Sequence, residues 1–353
     1  MSPIPLVRPD LQLAGGYHSP QVPAEVRLNT NESPFPPPED FTRALSEELR
    51  RAELHRYPDR GVSRLRQALA ELHHVGPDQI FCANGSNEVL QCLLLAYGGP
   101  GRRAVLFEPT YTLHAHISRL AGTEVVVGQR DADFRIDPVA ARKLMAEARP
   151  SVTFVCSPNN PTGLTERTDV LREMLRDAPG LVVVDEAYGQ FASTSSLDLA
   201  GCSRSLVVVR TFSKTWAMAA VRLGYAVADP EVIAACEQVV LPYHLSVPTQ
   251  LAGTIALRFG DEMASRVALV AAERERVARG LARLPVDTWP SEANFILFRP
   301  RDVAARTVWE RLLDRSVLVR DCSTWAGVEG CLRVTVGTPA ENDRFLTAIG
   351  ECL

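Results

Sequence analysis

The sequence predicts an open α/β sheet joined to a smaller α+β lobe, and three observations carry that prediction. First, seven short runs rich in Val, Leu, Ile and Ala fall between residues 80 and 228, with helical segments between several of them. Most are continuous apolar runs, as expected of parallel strands covered on both faces. Second, that alternation stops past residue 230, where long helices lead into two or three further strands. Third, the unusual polar residues gather just after the strands, and in open α/β folds ligands collect outside the carboxyl ends of the strands.

Taken in order, residues 1–38 hold nine prolines and little periodicity, which predicts an extended arm that packs across another surface. Inside it lies Leu28-Asn29-Thr30-Asn31-Glu32-Ser33-Pro34, which reads alone as a polar turn. From 39 to 75 the pattern is helical, with Val62, Leu65, Ala68, Leu69 and Leu72 on one face. Between two such helices a loop, His55-Arg56-Tyr57-Pro58-Asp59, presents an aromatic hydroxyl. The strand 80–83 then runs into Asn84-Gly85-Ser86-Asn87-Glu88 and a helix over 89–97. Glycine and small polar residues opening a helix make either an anion pocket or a plain cap with Ser86 or Asn87 as the capping residue.

The next strands are expected at 104–107, 124–127, 151–156, 181–184, 206–209 and 224–228, with helices near 112–120, 138–148 and 166–177. After them stand Tyr111, then Ser157-Pro158-Asn159-Asn160-Pro161-Thr162-Gly163, then Asp185 and Tyr188, then Ser213, Lys214 and Arg222. Each fragment alone has an ordinary structural explanation; their recurrence at one sheet edge does not. Beyond 230 the sequence predicts helices at 230–241 and 249–284, the second joining the lobes. Strands near 294–298, 317–321 and 332–336 and a helix at 302–314 follow.

Lys214 is the central residue of this pattern. The chain has 38 Lys and Arg, yet only Lys143 and Lys214 are lysines. A guanidinium stays protonated in a protein, whereas an amine can lose its proton and attack a carbonyl. Lys143, in a polar helix, reads as a surface residue, and Lys214, at a strand end, as a Schiff-base lysine. The constellation then suits pyridoxal 5'-phosphate. Asp185 would hold the ring N–H, Asn160 and Tyr188 the phenolic oxygen, and Tyr111 the ring face. Gly85, Ser86 and Asn87 would offer donors to the phosphate, with Ser213 and Arg222 completing the cradle.

Bulk properties agree with a soluble enzyme or binding protein. The 353 residues are 46% hydrophobic and 23% charged, and a formal charge of -4 offers no basic footprint for nucleic acid or membrane. Eight cysteines stand singly with no Cys-x-x-Cys, so neither zinc nor a disulfide framework is expected. Met1-Ser2-Pro3-Ile4-Pro5 lacks the apolar core of a signal peptide, and a cytoplasmic location is expected.

The order Tyr111, Asn160-Pro161-Thr162-Gly163, Asp185-x-x-Tyr188, Ser213-Lys214, Arg222 and Arg333 resembles the fold type I aminotransferases over nearly the whole chain. Asn29-Thr30-Asn31-Glu32-Ser33-Pro34, Arg56-Tyr57-Pro58 and Ser157–Gly163 resemble its histidinol-phosphate aminotransferase branch. The resemblance implies a mostly parallel seven-stranded sheet flanked by helices in a large domain at 39–245. It also implies a small α+β domain at 246–353 and an arm at 1–38 that packs with the small domain and a dimer partner. It implies that Lys214 carries the cofactor imine and shuttles the proton, and that Tyr57 reaches the phosphate of a neighbouring subunit in a homodimer. It implies that Arg333 binds the carboxylate of glutamate and the phosphate of an imidazolyl substrate, with Arg320, Asn31 and Tyr17 as helpers. No metal is implied. An aromatic amino-acid aminotransferase or a threonine-phosphate-type decarboxylase would share the same cradle. Asn87 stands where many relatives carry Asp, and Thr215–Ala220 replaces a segment that usually contains glycine.

Overall fold

The computed structural model describes residues 4–6 and 22–353, so Tyr17 lies outside the described residues. Seven strands form the larger sheet: β2 (Ile80–Ala83), β3 (Arg103–Glu108), β4 (Glu124–Gln129), β5 (Val152–Cys156), β6 (Leu181–Asp185), β7 (Leu206–Thr211) and β8 (Gly224–Ala228). Their order is β2-β8-β7-β6-β5-β3-β4, parallel except that β8 runs against both neighbours. The strands come out as expected, with ends shifted by a residue or two. β5, β6, β7 and β8 are buried along their whole length, which is why their sequences are continuous rather than alternating.

Helices cover both faces. Leu90, Leu93 and Leu94 of α3 (Gly85–Tyr97) pack with Leu113 and Ile117 of α4 (Leu113–Leu120) on one side. Met145 of α5 (Pro138–Ala148) packs with Val170, Leu171 and Met174 of α6 (Thr168–Arg176) on the other. α5 starts where Asp137 accepts the amides of Val139 and Ala140, with Pro138 in the first turn. Two helices precede the sheet, α1 (Glu39–Arg51) and α2 (Ser63–His73). The acidic start and basic end of α1 both oppose its dipole.

α3 corrects the reading of its N-terminus. It begins at Gly85, four residues earlier than expected, and the N-cap is Asn84 rather than Ser86 or Asn87. No side chain caps this end; the Asn84 amide turns instead to Glu88 Oε2. The sequence 249–284 also departs from expectation. It folds as α8 (Val247–Ala256) and α9 (Gly260–Leu281), separated by a 3₁₀ turn at Leu257–Phe259. Phe259 leaves helical geometry to set its ring edge-on to Phe41 at 6.2 Å, and Gly260 opens the next helix. α7 (Pro230–Val239) precedes both.

The second sheet has the order β1-β11-β12-β10-β9, comprising β1 (Val26–Leu28), β9 (Val286–Thr288), β10 (Phe295–Pro300), β11 (Val317–Asp321) and β12 (Leu332–Thr335). α10 (Ala305–Asp314) and α11 (Pro339–Cys352) cover it, α11 opening on a Thr338–Glu341 capping box. β1 pairs parallel with β11, Val26 opposite Val317. This pairing carries residues 29–32 to the edge of the larger sheet, where the strands end. β1, β9 and α11 are elements the sequence reading did not single out.

Candidate active site

One cavity of about 430 Å³ lies at the carboxyl ends of β5, β6 and β7, walled on its far side by β11, β12 and residues 29–32. Ser86, Asn87, Tyr111, Asn160, Asp185, Tyr188, Ser213, Lys214, Arg222, Asn31, Arg320 and Arg333 all face it. Gly85 lies under the Arg222 guanidinium. Tyr57 is elsewhere, 80% exposed on the surface and stacked on Tyr243 at 4.5 Å.

The floor is Asp185, 1% exposed at the last position of β6. Its Oδ1 accepts the Ala187 N–H at 3.1 Å and its Oδ2 accepts His114 Nε2 at 3.0 Å. A carboxylate only accepts, so His114 carries its proton on Nε2. That ring lies flat on Phe154 at 4.8 Å, and its buried Nδ1 has no partner. Sequence reading missed His114 because the segment 112–120 was read only as a helix, with no residue singled out in it. The available signal was a histidine at an inward position three residues after Tyr111.

At one end, the uncapped start of α3 meets Thr211 at the end of β7, Ser213 just beyond it and Arg222 in the turn before β8. Gly85 has φ +79°, and a Cβ there would lie 2.6 Å from Arg222 Nη2. Arg222 Nη1 donates to Ser213 Oγ at 3.3 Å, and Thr211 Oγ1 donates to the same oxygen at 3.0 Å. Helix amides, a guanidinium and a hydroxyl thus converge on a space suited to a phosphate. The residues fit pyridoxal 5'-phosphate: an anion cradle at one end, a buried carboxylate for a ring nitrogen, and an amine between them.

That amine, Lys214 Nζ, donates to the Thr30 carbonyl at 3.1 Å and sits 5.7 Å from the centre of the Tyr188 ring. Desolvation, reinforced by Arg333 and Arg222, lowers its pKa to about 8 from the usual 10.5. Burial pushes the Tyr188 hydroxyl upward, so Tyr188 remains a donor at neutral pH while accepting Asn31 Nδ2 at 2.9 Å. Asn31 itself is fixed by Thr335, whose hydroxyl accepts the Asn31 amide at 3.0 Å and donates to Oδ1 at 2.9 Å.

The far end is basic. Arg320 and Arg333 stand directly opposite each other on β11 and β12, both buried. Like charges in that position are normally destabilising. Arg333 donates to Asn160 Oδ1 and to the Asn29 carbonyl at 2.9 Å, and its buried Nε has no partner. Arg320 lies over the Trp325 ring, 5.3 Å from its centre. Trp325, Asn29 and Thr30 also line the cavity and were not foreseen as site residues. Among the described residues, no group of three His, Cys, Asp or Glu side chains is gathered as metal ligands would be.

Residues 23–349 match the family described as aminotransferase class I and II. The histidinol-phosphate aminotransferase of Corynebacterium efficiens is 46% identical over 362 residues, covering 99% of this chain and 95% of that protein. That of Nocardia farcinica is 48% identical, covering 96% of this chain and 90% of its own. A crystal structure of histidinol-phosphate aminotransferase from Sinorhizobium meliloti, in complex with pyridoxal 5'-phosphate, superimposes with a TM-score of 0.90. It covers 100% of this chain and 98% of its own, and at 22% identity it speaks for the fold alone.

Proposed function

Because the chain belongs to the class I and II aminotransferases, we propose that it transfers the amino group of L-histidinol phosphate to 2-oxoglutarate, giving imidazole acetol phosphate and L-glutamate in histidine biosynthesis. It is a pyridoxal 5'-phosphate-dependent transaminase. The observation that carries the substrate assignment is the cross-strand pair Arg320 and Arg333 at the cavity's far end. Two guanidinium groups suit a substrate with a doubly charged group, a phosphate monoester in one half-reaction and a dicarboxylate in the other. The two bacterial relatives bear the name of this reaction along nearly their whole length.

When bound, the cofactor supplies a carbonyl for the amino group and a protonated ring that accepts the electron pair left at the donor's α-carbon. The protein's part follows from the geometry. Asp185, anchored by His114 and the Ala187 amide, would accept the ring N–H. Asn160 gives its carbonyl to Arg333, which leaves its NH₂ for a ring oxygen, and Tyr188 would donate to the same oxygen. Lys214, with a pKa of about 8, releases and regains a proton at Nζ close to neutral pH. Ser86, Asn87, Ser213 and Arg222 would hold the phosphate.

We place the arm at 1–38, the large cofactor-binding domain at 39–245 and the small domain at 246–353. Tyr57 and Tyr243 form an exposed aromatic pair with Leu54 and Leu241 also exposed, which supports a homodimer in which Tyr57 serves the neighbouring site. No helix among the described residues is long and apolar enough to cross a membrane; the reaction suits a cytoplasmic location.

A donor panel tests the substrate. Conversion of the cofactor from aldehyde to amine form is followed with L-histidinol phosphate, phenylalanine and threonine phosphate. The first should exceed phenylalanine by about 100-fold or more in kcat/KM, since only a phosphorylated donor satisfies the paired arginines. Carbon dioxide release from threonine phosphate, or a preference for phenylalanine, would overturn the assignment.

A further inference from the structure

Tyr111 and Asn160 face the cavity from two different loops, one following β3 and the other β5. Those strands are neighbours, yet they pair only at Ala104 with Val152 and Val105 with Thr153. The ladder therefore stops before either loop begins, and the sheet alone does not set the spacing between the two residues.

Asn159 ties the loops together where the ladder has stopped. Its Nδ2 donates to the Pro109 carbonyl and to Thr162 Oγ1, both at 3.0 Å, and its Oδ1 accepts the Thr110 hydroxyl at 3.0 Å. Both amide hydrogens and the amide oxygen are thus engaged, in a side chain with no exposed surface. Two of the bonds cross to the residues immediately before Tyr111, and the third closes the turn that holds Asn160. The main chain closes the same turn. The Asn159 amide donates to the Leu164 carbonyl at 2.8 Å, and the Gly163 amide donates to the Asn159 carbonyl at 2.7 Å. Neither Asn159 nor Thr110 lines the cavity. A fully satisfied buried amide fixes one arrangement of its neighbours, which apolar packing does less strictly.

That strictness matters at the next residue. Asn160 gives its Oδ1 to Arg333 and has only its NH₂ left for the cofactor. A support that is loose by about 1 Å is enough to weaken such a contact. We propose that Asn159 is a positioning residue that fastens the β3 and β5 loops together, and so holds Asn160 against the cofactor's ring oxygen and sets the spacing to Tyr111. This rests on the reading that Asn160 donates to that oxygen.

The test needs no substrate. A donor at the ring oxygen favours its charged form and lowers the proton affinity of the cofactor's imine. The pH midpoint of the absorbance change in resting holoenzyme reports that contact. Asn159→Ala should raise the midpoint by about one pH unit, a tenfold gain in proton affinity. Thr110→Val, which removes one cross-loop bond, should give about half that rise, and Thr110→Ser, which keeps the hydroxyl, should restore most of it. Asn160→Ala is the control and should raise the midpoint at least as far as Asn159→Ala. A lower melting temperature with an unmoved midpoint in Asn159→Ala would leave the residue a scaffold role only and overturn the proposal. Equal midpoints in Thr110→Val and Thr110→Ser would overturn it too, since the cross-loop bond would then carry nothing. An unmoved midpoint in Asn160→Ala removes the reading of Asn160 and the proposal together. The Thr110 pair carries the comparison should Asn159→Ala fail to fold.

Discussion

Buried arginines are treated differently in the two lobes. Beside the larger sheet, Arg130 meets Glu166 at 3.0 Å and Arg210 meets Glu186 at 2.8 Å, each carboxylate nearly inaccessible. Glu186 also accepts the Ser195 hydroxyl and the Ser196 amide, so its charge is fully bonded one residue from Asp185. In the smaller sheet, Arg333 has only a carboxamide and a carbonyl as acceptors, and one of its N–H groups has none. A buried charge met by a carboxylate is compensated inside the fold, and removing either partner strands the other. A buried charge bonded only to neutral groups costs stability, and its presence is explained by a ligand that completes it. The difference separates arginines that are compensated within the scaffold from Arg333, which we propose receives substrate.

The largest expected effect lies on the ligand side. Lys214→Ala should lower kcat by about 10⁴-fold or more, because in the proposed mechanism it removes both the attacking amine and the proton carrier. Its apoenzyme should melt no lower than wild type, since the enclosed amine, held at a pKa of about 8, is a strained cation at neutral pH. Cofactor should still bind through the phosphate cradle. Single-turnover spectra and apoenzyme melts check both halves. More than about one per cent of wild-type turnover would remove Lys214 from its role.

Next is the paired replacement Arg210→Met and Arg333→Met. Arg210→Met strands the Glu186 carboxylate and should cost about 3–5 kcal/mol of stability, with the added change Glu186→Gln recovering much of it. Arg333→Met relieves a like-charge contact and should change stability by less than about 1 kcal/mol. It should instead raise KM for both substrates by about 100-fold, the loss of a charge-assisted pair. Asn160 loses its partner in that variant, so the cofactor spectrum should shift as well. Denaturant titration and steady-state kinetics separate the cases; equal loss of stability in the two would erase the distinction between them.

How far the sequence revealed this depends on whether the relevant contacts are local. The large sheet was legible because burial on both faces forces continuous Val and Leu runs, as in Leu181–Asp185. Most of the strand-end residues were legible because they stand at or within a few residues of a strand's end, as Asp185, Asn160 and Lys214 do. His114 was not, since its bond to Asp185 spans 71 residues and leaves no periodic trace. The opposition of Arg320 and Arg333 was equally hidden, because register across two strands is set by tertiary packing. Val26–Leu28 read as proline-rich arm because three residues are too few to show a period. The break at Leu257–Phe259 was missed because its cause, the seat of Phe259 on Phe41, lies some 200 residues away.

The smallest effect probes the compensated network through pH. His73 Nε2 bonds the buried Tyr225 hydroxyl at 2.8 Å, and Tyr225 in turn lies within hydrogen-bonding reach of Arg210. With that hydroxyl donating, His73 must accept and therefore stay neutral. Desolvation, then the charges of Arg210 and His74, lowers its pKa from 6.5 to about 4. The unfolded chain takes up the proton near 6.5 while the folded chain resists it until about 4. Across that window the unfolded state binds more protons, so stability is complete above 6.5 and falls as the pH drops toward 4. Partial solvent access limits the loss to about 1–2 kcal/mol. His73→Gln can still bond Tyr225 but cannot titrate, and the difference in melting temperature between it and wild type should change sign or narrow steadily from pH 7 to pH 4. Parallel pH profiles for the two proteins would mean that His73 is protonated in the fold without cost. A cation would then sit beside Arg210 unopposed, and charge balance in the large lobe would no longer distinguish it from the small one.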